Sequence, residues 1–253
     1  MASRTLLLAS LAVTAASMPL ANSNSNTTPV TPLTARDVID HDAVAGLPET
    51  LPSGTLGDIY RAYQPYLEVE DGCVPFPAVD ADGNTSGGLA PTGSSTGDCS
   101  SSTGQVYARS TMSDGLDATY GAGIMYSWYF PKDSPSTGLG HRHDWEGVIV
   151  WLADGASSTA ENVVAVCPSA HGDWNCDTSF SLSGTHPLIR YFNVWPVNHQ
   201  LGLTDSVGGS QPLVAWESVG SAVRDALEST DFGSATVPFK EGTFGGNLGE
   251  ATY

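Results

Sequence analysis

Short runs of β-branched and aromatic residues, separated by glycine, proline and serine clusters, dominate the chain from about its middle onward. Several runs alternate apolar and polar residues, which is typical of strands with one face in a core. Alternating strand and helix patterns, which would indicate a parallel sheet, are missing. We therefore expect a mainly β fold, an antiparallel β-sandwich in a single domain, with strands at residues 105–111, 122–130, 145–152, 162–167 and 188–195.

Two other segments have helical spacing. In residues 54–65, which end at a proline, one side of a helix would carry Leu56, Ile59, Tyr60 and Tyr63. In residues 215–229, one helical face would carry Trp216, Val219, Val223 and Leu227. These segments predict a few α-helices that flank the sandwich. The proline-, glycine- and serine-rich residues 71–104 predict a long loop instead.

The first part of the chain is expected to lie outside the folded domain. Residues 1–21 contain Arg4, an apolar run and small residues, which together indicate a signal peptide cleaved between residues 16 and 21. Residues 22–36 are rich in Asn, Ser, Thr and Pro, and predict a flexible lead-in. No other stretch approaches the roughly 20 apolar residues of a membrane-spanning helix. We expect a soluble, secreted, extracellular protein whose domain occupies residues 37–253.

Cysteine usage agrees with export. An oxidising route favours disulfides over metal ligation, and no Cys-x-x-Cys zinc spacing is present. Four cysteines allow three connectivities, and pairing neighbours in sequence would join Cys73 to Cys99 and Cys167 to Cys176.

The charge of the chain is strongly negative. Nine basic residues stand against 27 acidic ones, which gives a formal charge of −18. Such a surface repels phosphate backbones and argues against nucleic acid as a partner. It also lacks the usual cationic attraction to anionic lipid. Any membrane contact must therefore use sugars, a bridging cation or a specific pocket.

The densest group of candidate metal ligands is a heptapeptide, Gly140-His141-Arg142-His143-Asp144-Trp145-Glu146. In an extended segment Asp144 and Glu146 share one face, and His141 joins them only if Gly140 lets the chain bend. Asp133, across the intervening loop, could supply another oxygen. Oxygen-rich ligation with one imidazole suits Mg²⁺, Ca²⁺ or Mn²⁺ rather than a structural zinc. The alternative is a solvated turn whose charges pair with one another.

Two other groups have simpler interpretations on their own. Residues 80–84 (DADGN) begin like an EF-hand loop, but the glycine at position six and the glutamate at position twelve are absent. They predict a turn. His199 by itself is most simply an edge histidine.

Residues 123–135 (GIMYSWYFPKDSP), followed by the heptapeptide, resemble a family signature. It is that of the necrosis- and ethylene-inducing peptide-like proteins, cytolysins of plant-associated fungi, oomycetes and bacteria. Supporting stretches extend the resemblance to nearly all of residues 37–253, namely residues 71–88, 104–110, 195–199 and 231–239.

The resemblance implies a sandwich similar to actinoporins and fungal lectins, and a monomeric, non-enzymatic toxin. It implies that the protein binds a divalent cation, Mg²⁺ or Ca²⁺, and recognises glycosylinositol phosphorylceramide sphingolipids of plant plasma membranes. By matching positions, it assigns the metal site to Asp133, His141, Asp144 and Glu146. It also assigns headgroup binding or toxicity to Pro77, Asp80, Asn84, Trp195 and His199. Cys167 and Cys176 are additional to the cysteine pair of the commonest subgroup.

Other functions remain open at this point. The chain could be a non-cytolytic glycan binder, or a protein whose segment 123–146 is perceived by plant immune receptors, as in relatives. It could also be a metal-dependent lyase or hydrolase of plant-wall polysaccharide, with Asp144 or Glu146 as general base.

Overall fold

A computed structural model of the protein describes residues 36–194 and 198–253. The predicted signal peptide and the lead-in up to residue 35 lie outside the described residues, and so does Trp195. The remainder, residues 36–253, forms one compact unit. Its strands are β1 (Val38–Ile39), β2 (Tyr66–Val69), β3 (Thr85–Ser86), β4 (Val106–Ser110), β5 (Ala122–Asp133), β6 (His141–Leu152), β7 (Val163–Ala170), β8 (Asp173–Trp174), β9 (Leu182–Ser183), β10 (His186–Val194), β11 (Asn198–Leu203) and β12 (Leu213–Ala215).

Helices are few and short, as expected. They are α1 (Thr55–Ala62), α2 (Asp117–Tyr120), α3 (Ser221–Ser229) and α4 (Phe244–Glu250). The helix α1 lies inside the segment predicted from its apolar spacing, and it buries Ile59 and Tyr60 on one side. Within the described residues, none of the helices has the length and apolar character needed to cross a bilayer.

Two sheets account for most of the strands. The larger has the order β12-β4-β5-β6-β7-β8, and the smaller has the order β11-β10-β2, with β9 alongside β10. The mainly β prediction is confirmed, and β4 through β8 pair antiparallel. Three pairings in this otherwise antiparallel arrangement are parallel, and they involve strands that the sequence did not predict, namely β12 with β4, β10 with β2, and β1 with β3.

The two sheets pack through aromatic rings. Phe130 of β5 stacks on Tyr191 of β10 with ring centroids 3.9 Å apart and an interplanar angle of 8°. On the opposite face of the large sheet, Trp145 packs edge-on against Phe232 and Phe239 from the C-terminal segment. The strands β5 and β6 are therefore covered on both faces, which explains why they are buried along almost their whole length.

Several predicted boundaries were wrong. The strand β6 begins at His141 rather than at residue 145, so the heptapeptide lies in a central strand and not in an exposed turn. The second predicted helix begins only at Ser221. Residues 213–215 instead form β12, because they pair with β4, and Trp216 and Val219 are buried ahead of the helix.

Two disulfides close loops of different length. Cys73 is bonded to Cys99, 26 residues apart, and Cys167 to Cys176, 9 residues apart. This is the connectivity that pairs sequence neighbours. The first bond anchors the long loop before β4, and the second closes the β7–β8 hairpin.

Removing each disulfide measures how loop length contributes to stability. In the chain-entropy account, closing 26 residues contributes about 3.5 kcal/mol and closing 9 residues about 2.6 kcal/mol. We therefore expect a Cys73→Ala/Cys99→Ala variant to lose about 1 kcal/mol more free energy of unfolding than Cys167→Ala/Cys176→Ala, measured by denaturant titration. Equal losses, or a larger loss for the short loop, would show that local packing outweighs loop length.

Gly140 ends the loop between β5 and β6. Its φ is +93°, and a Cβ there would lie 2.1 Å from the carbonyl oxygen of Asp133. Gly138 is the matched control, because its φ is +81° but no atom lies within 4 Å of its Cβ position. Alanine strains either backbone by roughly 1–2 kcal/mol. We expect Gly140→Ala to lower the free energy of unfolding by at least about 1 kcal/mol more than Gly138→Ala, because it must also displace β5. Equal losses in denaturant titrations would contradict this.

Candidate functional site

The heptapeptide places its side chains on two faces of β6. A regular strand would point His141 and His143 the same way. His143, however, has a left-handed φ of +61°, which breaks the alternation. As a result His141 lines the same cavity as Asp144 and Glu146, and its Nδ1 lies 2.7 Å from the carbonyl oxygen of His143. The bend expected at Gly140 is therefore accompanied by a second one at His143.

Three carboxylates are buried together at this end of the sandwich. Asp133 is fully buried, and Asp144 and Glu146 are 6% and 7% exposed. Among the described residues, no Lys or Arg forms an ion pair with any of them. Burying a carboxylate without a cationic partner is costly, so these side chains need another source of stabilisation.

Hydrogen-bond donors from three other strands supply part of it. The Tyr191 hydroxyl of β10 donates to Asp144 Oδ2 at 2.8 Å, and the Ser169 hydroxyl of β7 donates to Glu146. His199 of β11 holds Asp133 through its backbone N–H and through Nδ1, which lies 2.6 Å from Oδ1. His141 Nε2 is 3.7 Å from the other Asp133 oxygen.

These donors do not fully compensate the negative charge. Burial raises the pKa of Asp144 to about 7, and the nearby Asp133 carboxylate raises it further. Burial likewise raises the pKa of Glu146 well above its ordinary value, with the charge of Asp144 as the next cause. The cluster therefore favours a proton or another positive charge at neutral pH.

His199 supports the cluster from behind. Its ring stacks on Tyr191 with centroids 4.8 Å apart, and its buried Nε2 has no hydrogen-bond partner among the described residues. The backbone of Gly72 packs against that atom so closely that a Cβ would lie 2.7 Å from it. His199 is thus placed to orient Asp133 and does not line the cavity.

The other two basic residues of the heptapeptide face away from the cluster. His143 Nδ1 lies 2.7 Å from the Tyr129 hydroxyl, and its ring packs edge-on against Phe232. Burial, with the charge of Arg142 as the next cause, lowers the pKa of His143 to about 4 and keeps it neutral. Arg142 donates to the carbonyl oxygens of residues 87 and 88. The two imidazoles therefore differ in role, and only His141 faces the cavity.

A cavity of about 510 Å³ opens above the carboxylates. It combines indole surface with hydroxyl, amide and imidazole groups, contributed among others by Trp145, His171, Trp174, Asn198, Thr236 and Asn247. Flat apolar surface beside many hydrogen-bonding groups suits a small polyol such as a sugar ring.

The loop that the family resemblance associates with toxicity is held in shape by hydrogen bonds between its own residues. Asp80 Oδ1 accepts hydrogen bonds from the backbone N–H groups of Asp82 and Asn84, and the Asn84 side-chain amide donates to Asp80 Oδ2 at 2.9 Å. Pro77 is buried and lines a separate cavity of about 390 Å³ with His41 and Phe76. The structure therefore brings the four predicted metal-site residues together, but not Pro77, Asp80 or Asn84. The roles of these three stay predictions.

The carboxylate cluster has the chemistry of a cation site without its geometry. As the side chains stand, residues 36–194 and 198–253 contain no group of three or more His, Cys, Asp or Glu positioned to hold a metal ion. The chemistry of the cluster nevertheless fits one, because its three buried carboxylates have no Lys or Arg partner and have an imidazole beside them.

Sequence reasoning missed several residues of this site. Tyr191 and Ser169 contact the carboxylates, and Trp174 and Asn247 line the cavity. No local pattern marks these positions. Asn198 had a weak signal, since it precedes His199 in a stretch that resembles the family.

Known proteins match most of the chain. The family described as "Necrosis inducing protein (NPP1)" matches residues 57–251. "NLP effector protein 10" of Phytophthora capsici is 44% identical, over 85% of this chain and 92% of its own length. "Necrosis-inducing protein NPP1" of Phytophthora nicotianae is 45% identical, over 86% of this chain and 92% of its own length.

Solved structures share the fold. NLPPya in complex with mannosamine is 47% identical, covers 85% of this chain and 99% of its own, and superposes with a TM-score of 0.77. A structure of NLPPya with glucosamine matches with a TM-score of 0.76. The non-toxic HaNLP3 protein is 35% identical, covers 84% of this chain and 98% of its own, and has a TM-score of 0.76. The chain carries the fold, the signature and most of the length of these proteins, and it belongs to the necrosis-inducing protein (NPP1) family.

Proposed function

We propose that this chain is a secreted, non-enzymatic cytolysin that binds glycosylinositol phosphorylceramide headgroups at the plant plasma membrane with the help of one divalent cation. The observation that carries the proposal is the carboxylate cluster Asp133, Asp144 and Glu146. It is buried at a sugar-sized cavity and has no Lys or Arg partner in residues 36–194 and 198–253. Membership of a family of necrosis-inducing proteins supports the toxic role.

The cation would be held by Asp133, His141, Asp144 and Glu146. Mg²⁺ and Ca²⁺ prefer carboxylate oxygens, and Mn²⁺ also accepts an imidazole. When bound, the ion supplies positive charge at the floor of the cavity. In a chain of net charge −18, that charge would favour the approach of sugar hydroxyls and anionic groups.

The cavity would bind a terminal hexose. One relative of the same fold, NLPPya, forms complexes with mannosamine and with glucosamine, which supports a hexose-sized ligand here. In this chain, the indole of Trp174 offers a flat apolar surface, and Asn198 and Asn247 offer amide groups for hydroxyls. Trp195 would contribute to the same recognition, as the family resemblance implies.

The loop at Pro77, Asp80 and Asn84 would act with this cavity at the membrane. One solved relative, 43% identical with a TM-score of 0.75, is a mutant at a proline, an aspartate and an asparagine. These three positions have the same spacing along the chain as Pro77, Asp80 and Asn84. The hydrogen bonds that close this loop would present it as a preformed surface.

A second candidate is a non-lytic protein that binds the same headgroup or is perceived through residues 123–146. The match to HaNLP3, a non-toxic protein of the same fold, favours this second candidate. Leaves infiltrated with intact and heat-denatured protein separate the two functions. Lysis from the intact protein alone supports the cytolysin, whereas equal immune output without lysis from both preparations supports perception of the segment.

Leakage from vesicles tests the cytolysin. We expect vesicles that contain the sphingolipid to leak with wild type, and leakage to fall roughly 10- to 100-fold with chelator or in Asp144→Asn, because binding requires the cation. Asp58→Asn is the matched control, since Asp58 is exposed on α1 and should leave leakage unchanged. Leakage that is unchanged both by the chelator and by Asp144→Asn would contradict the proposal.

Thermal unfolding tests the cation by a separate route. At about 100 times its Kd, a bound ion stabilises the native state by about 2.7 kcal/mol, which raises Tm by roughly 5–10 °C in a chain of this size. We expect that rise with Mg²⁺ or Ca²⁺ for wild type and Asp58→Asn. Asp144→Asn should show little of it, although asparagine can still accept the Tyr191 hydrogen bond. A cation-independent Tm in the wild type would contradict the site.

A further inference from the structure

We propose that the peptide bond between Arg36 and Asp37 is a maturation site, at which an arginine-directed endoprotease removes the lead-in from the folded domain. Water is added across the bond. Its oxygen enters the new carboxylate of Arg36, and its two protons convert the amide nitrogen of Asp37 into an α-ammonium group. The inference goes beyond the toxin function and rests on the proposed secretion, which would carry the chain to such a protease.

Arg36 stands at the start of the folded domain. It is the first residue of the compact unit 36–253. Between Arg4 and Arg61 it is the one Lys or Arg in the sequence. A cut after Arg36 would therefore release the whole predicted lead-in and leave the predicted domain, residues 37–253, complete.

The bond after Arg36 is accessible. Arg36 is exposed and lies outside every helix and strand, and its side chain is held weakly, by a 3.5 Å hydrogen bond from Nη1 to Ser229 Oγ. The strand β1 that follows is already extended, its Val38 is 71% exposed, and within the described residues it pairs with β3 alone. An extended segment with a free edge can bind to another protein as an added strand, which is how endoproteases hold their substrates.

The other basic residues of the described part are protected by the fold. Lys240 is half-buried in a turn, and its carbonyl oxygen accepts the backbone N–H groups of Thr243 and Phe244. The remaining six lie in helices or strands, namely Arg61, Arg109, Lys132, Arg142, Arg190 and Arg224. A cut at any of these requires opening of its element, whereas a terminal segment opens at little cost. Arg36 is therefore the site that such a protease reaches first.

The domain holds the chain from the next residue onward. The backbone N–H of Asp37 donates to Asn84 Oδ1 at 3.0 Å, and its carbonyl oxygen accepts from the N–H of Thr85 at 2.9 Å. The carbonyl oxygen of Ile39 accepts from the N–H of Gly87 at 2.7 Å. The new terminus would therefore stay in place after the lead-in has left.

Cleavage would also change the loop that the family resemblance associates with toxicity. The N–H that Asn84 now accepts would become part of an α-ammonium group, and charge-assisted hydrogen bonds are roughly twice as strong as neutral ones. The same Asn84 side chain donates to Asp80. The new charge would therefore strengthen the contacts that hold this loop in shape.

Limited trypsin digestion of the purified full chain tests the site. We expect trypsin to cut after Arg36 at least roughly 100-fold faster than after any other Lys or Arg of the described residues, because the other sites must first open. The product should be a stable fragment, residues 37–253, identified by its mass and its N-terminal sequence. A faster cut after Arg61, Arg142 or any other of those residues would overturn the proposal.

Variants of Arg36 identify the cause. Arg36→Gln should abolish the fragment. Arg36→Lys should keep it with trypsin and lose it with a protease that cuts after arginine alone. Arg61→Gln is the matched control, since Arg61 is an exposed arginine paired with Glu49 and its loss should change nothing. A fragment that persists in Arg36→Gln would contradict the assignment.

The chain secreted by Phytophthora, the genus of the relatives described above, tests maturation during export. We expect the wild-type protein in the culture filtrate to begin at Asp37, and Arg36→Gln to begin near the predicted signal-peptide site. A wild-type protein that begins before residue 37 would overturn maturation. If the chain is not secreted, it is the proposed secretion that fails, and the trypsin digestion decides whether Arg36 is the accessible site.

Hydrogen exchange tests the effect on the loop. The probe is the backbone N–H of Asn84, which donates to Asp80 Oδ1. We expect it to exchange roughly fivefold more slowly in the fragment 37–253 than in the uncut Arg36→Gln chain, as the gain from a neutral to a charged hydrogen bond allows. Equal exchange rates would overturn the effect on the loop and leave the cleavage site standing.

Discussion

Three buried carboxylates, which have no Lys or Arg partner among the described residues, are the constraint around which the rest of the structure is arranged. Removing such groups from water costs several kcal/mol each unless they are paired or hydrogen-bonded. Asp133, Asp144 and Glu146 receive donors from Ser169, Tyr191 and His199. These donors come from β7, β10 and β11, so strands from both sheets must be in place before the cluster is satisfied. The site is therefore a product of the complete sandwich.

A left-handed residue near the start of β6, His143, directs the side chains of the heptapeptide to two different faces. Because His143 has φ +61°, His141 turns toward the carboxylates while Arg142 reaches the loop that follows Asn84. On that second face, Trp145 packs into the aromatic core with Phe239. One short segment thus builds the polar cavity on one side and anchors the fold on the other.

Patterns along the chain predicted the fold class and singled out Asp133, His141, Asp144 and Glu146, but they did not predict the environment of these side chains. The β-branched runs marked β4, β5, β7 and β10 well, because burial of such runs is a local signal. The start of β6 was missed, since a run of charged residues resembles a solvated turn until donors from residues 169, 191 and 199 are known. Likewise, the parallel pairing of β12 with β4 joins segments more than 100 residues apart, and no local pattern records it.

Three rings connect this site to the whole domain. Phe130 stacks on Tyr191, Tyr191 stacks on His199, and His199 holds Asp133. The contact that supports the carboxylates is therefore also the contact that resists sliding of one sheet over the other. A substitution in these rings alters the support of the carboxylates and the resistance to shear together. Selection on the carboxylate cluster and selection for a rigid domain thus act on the same positions.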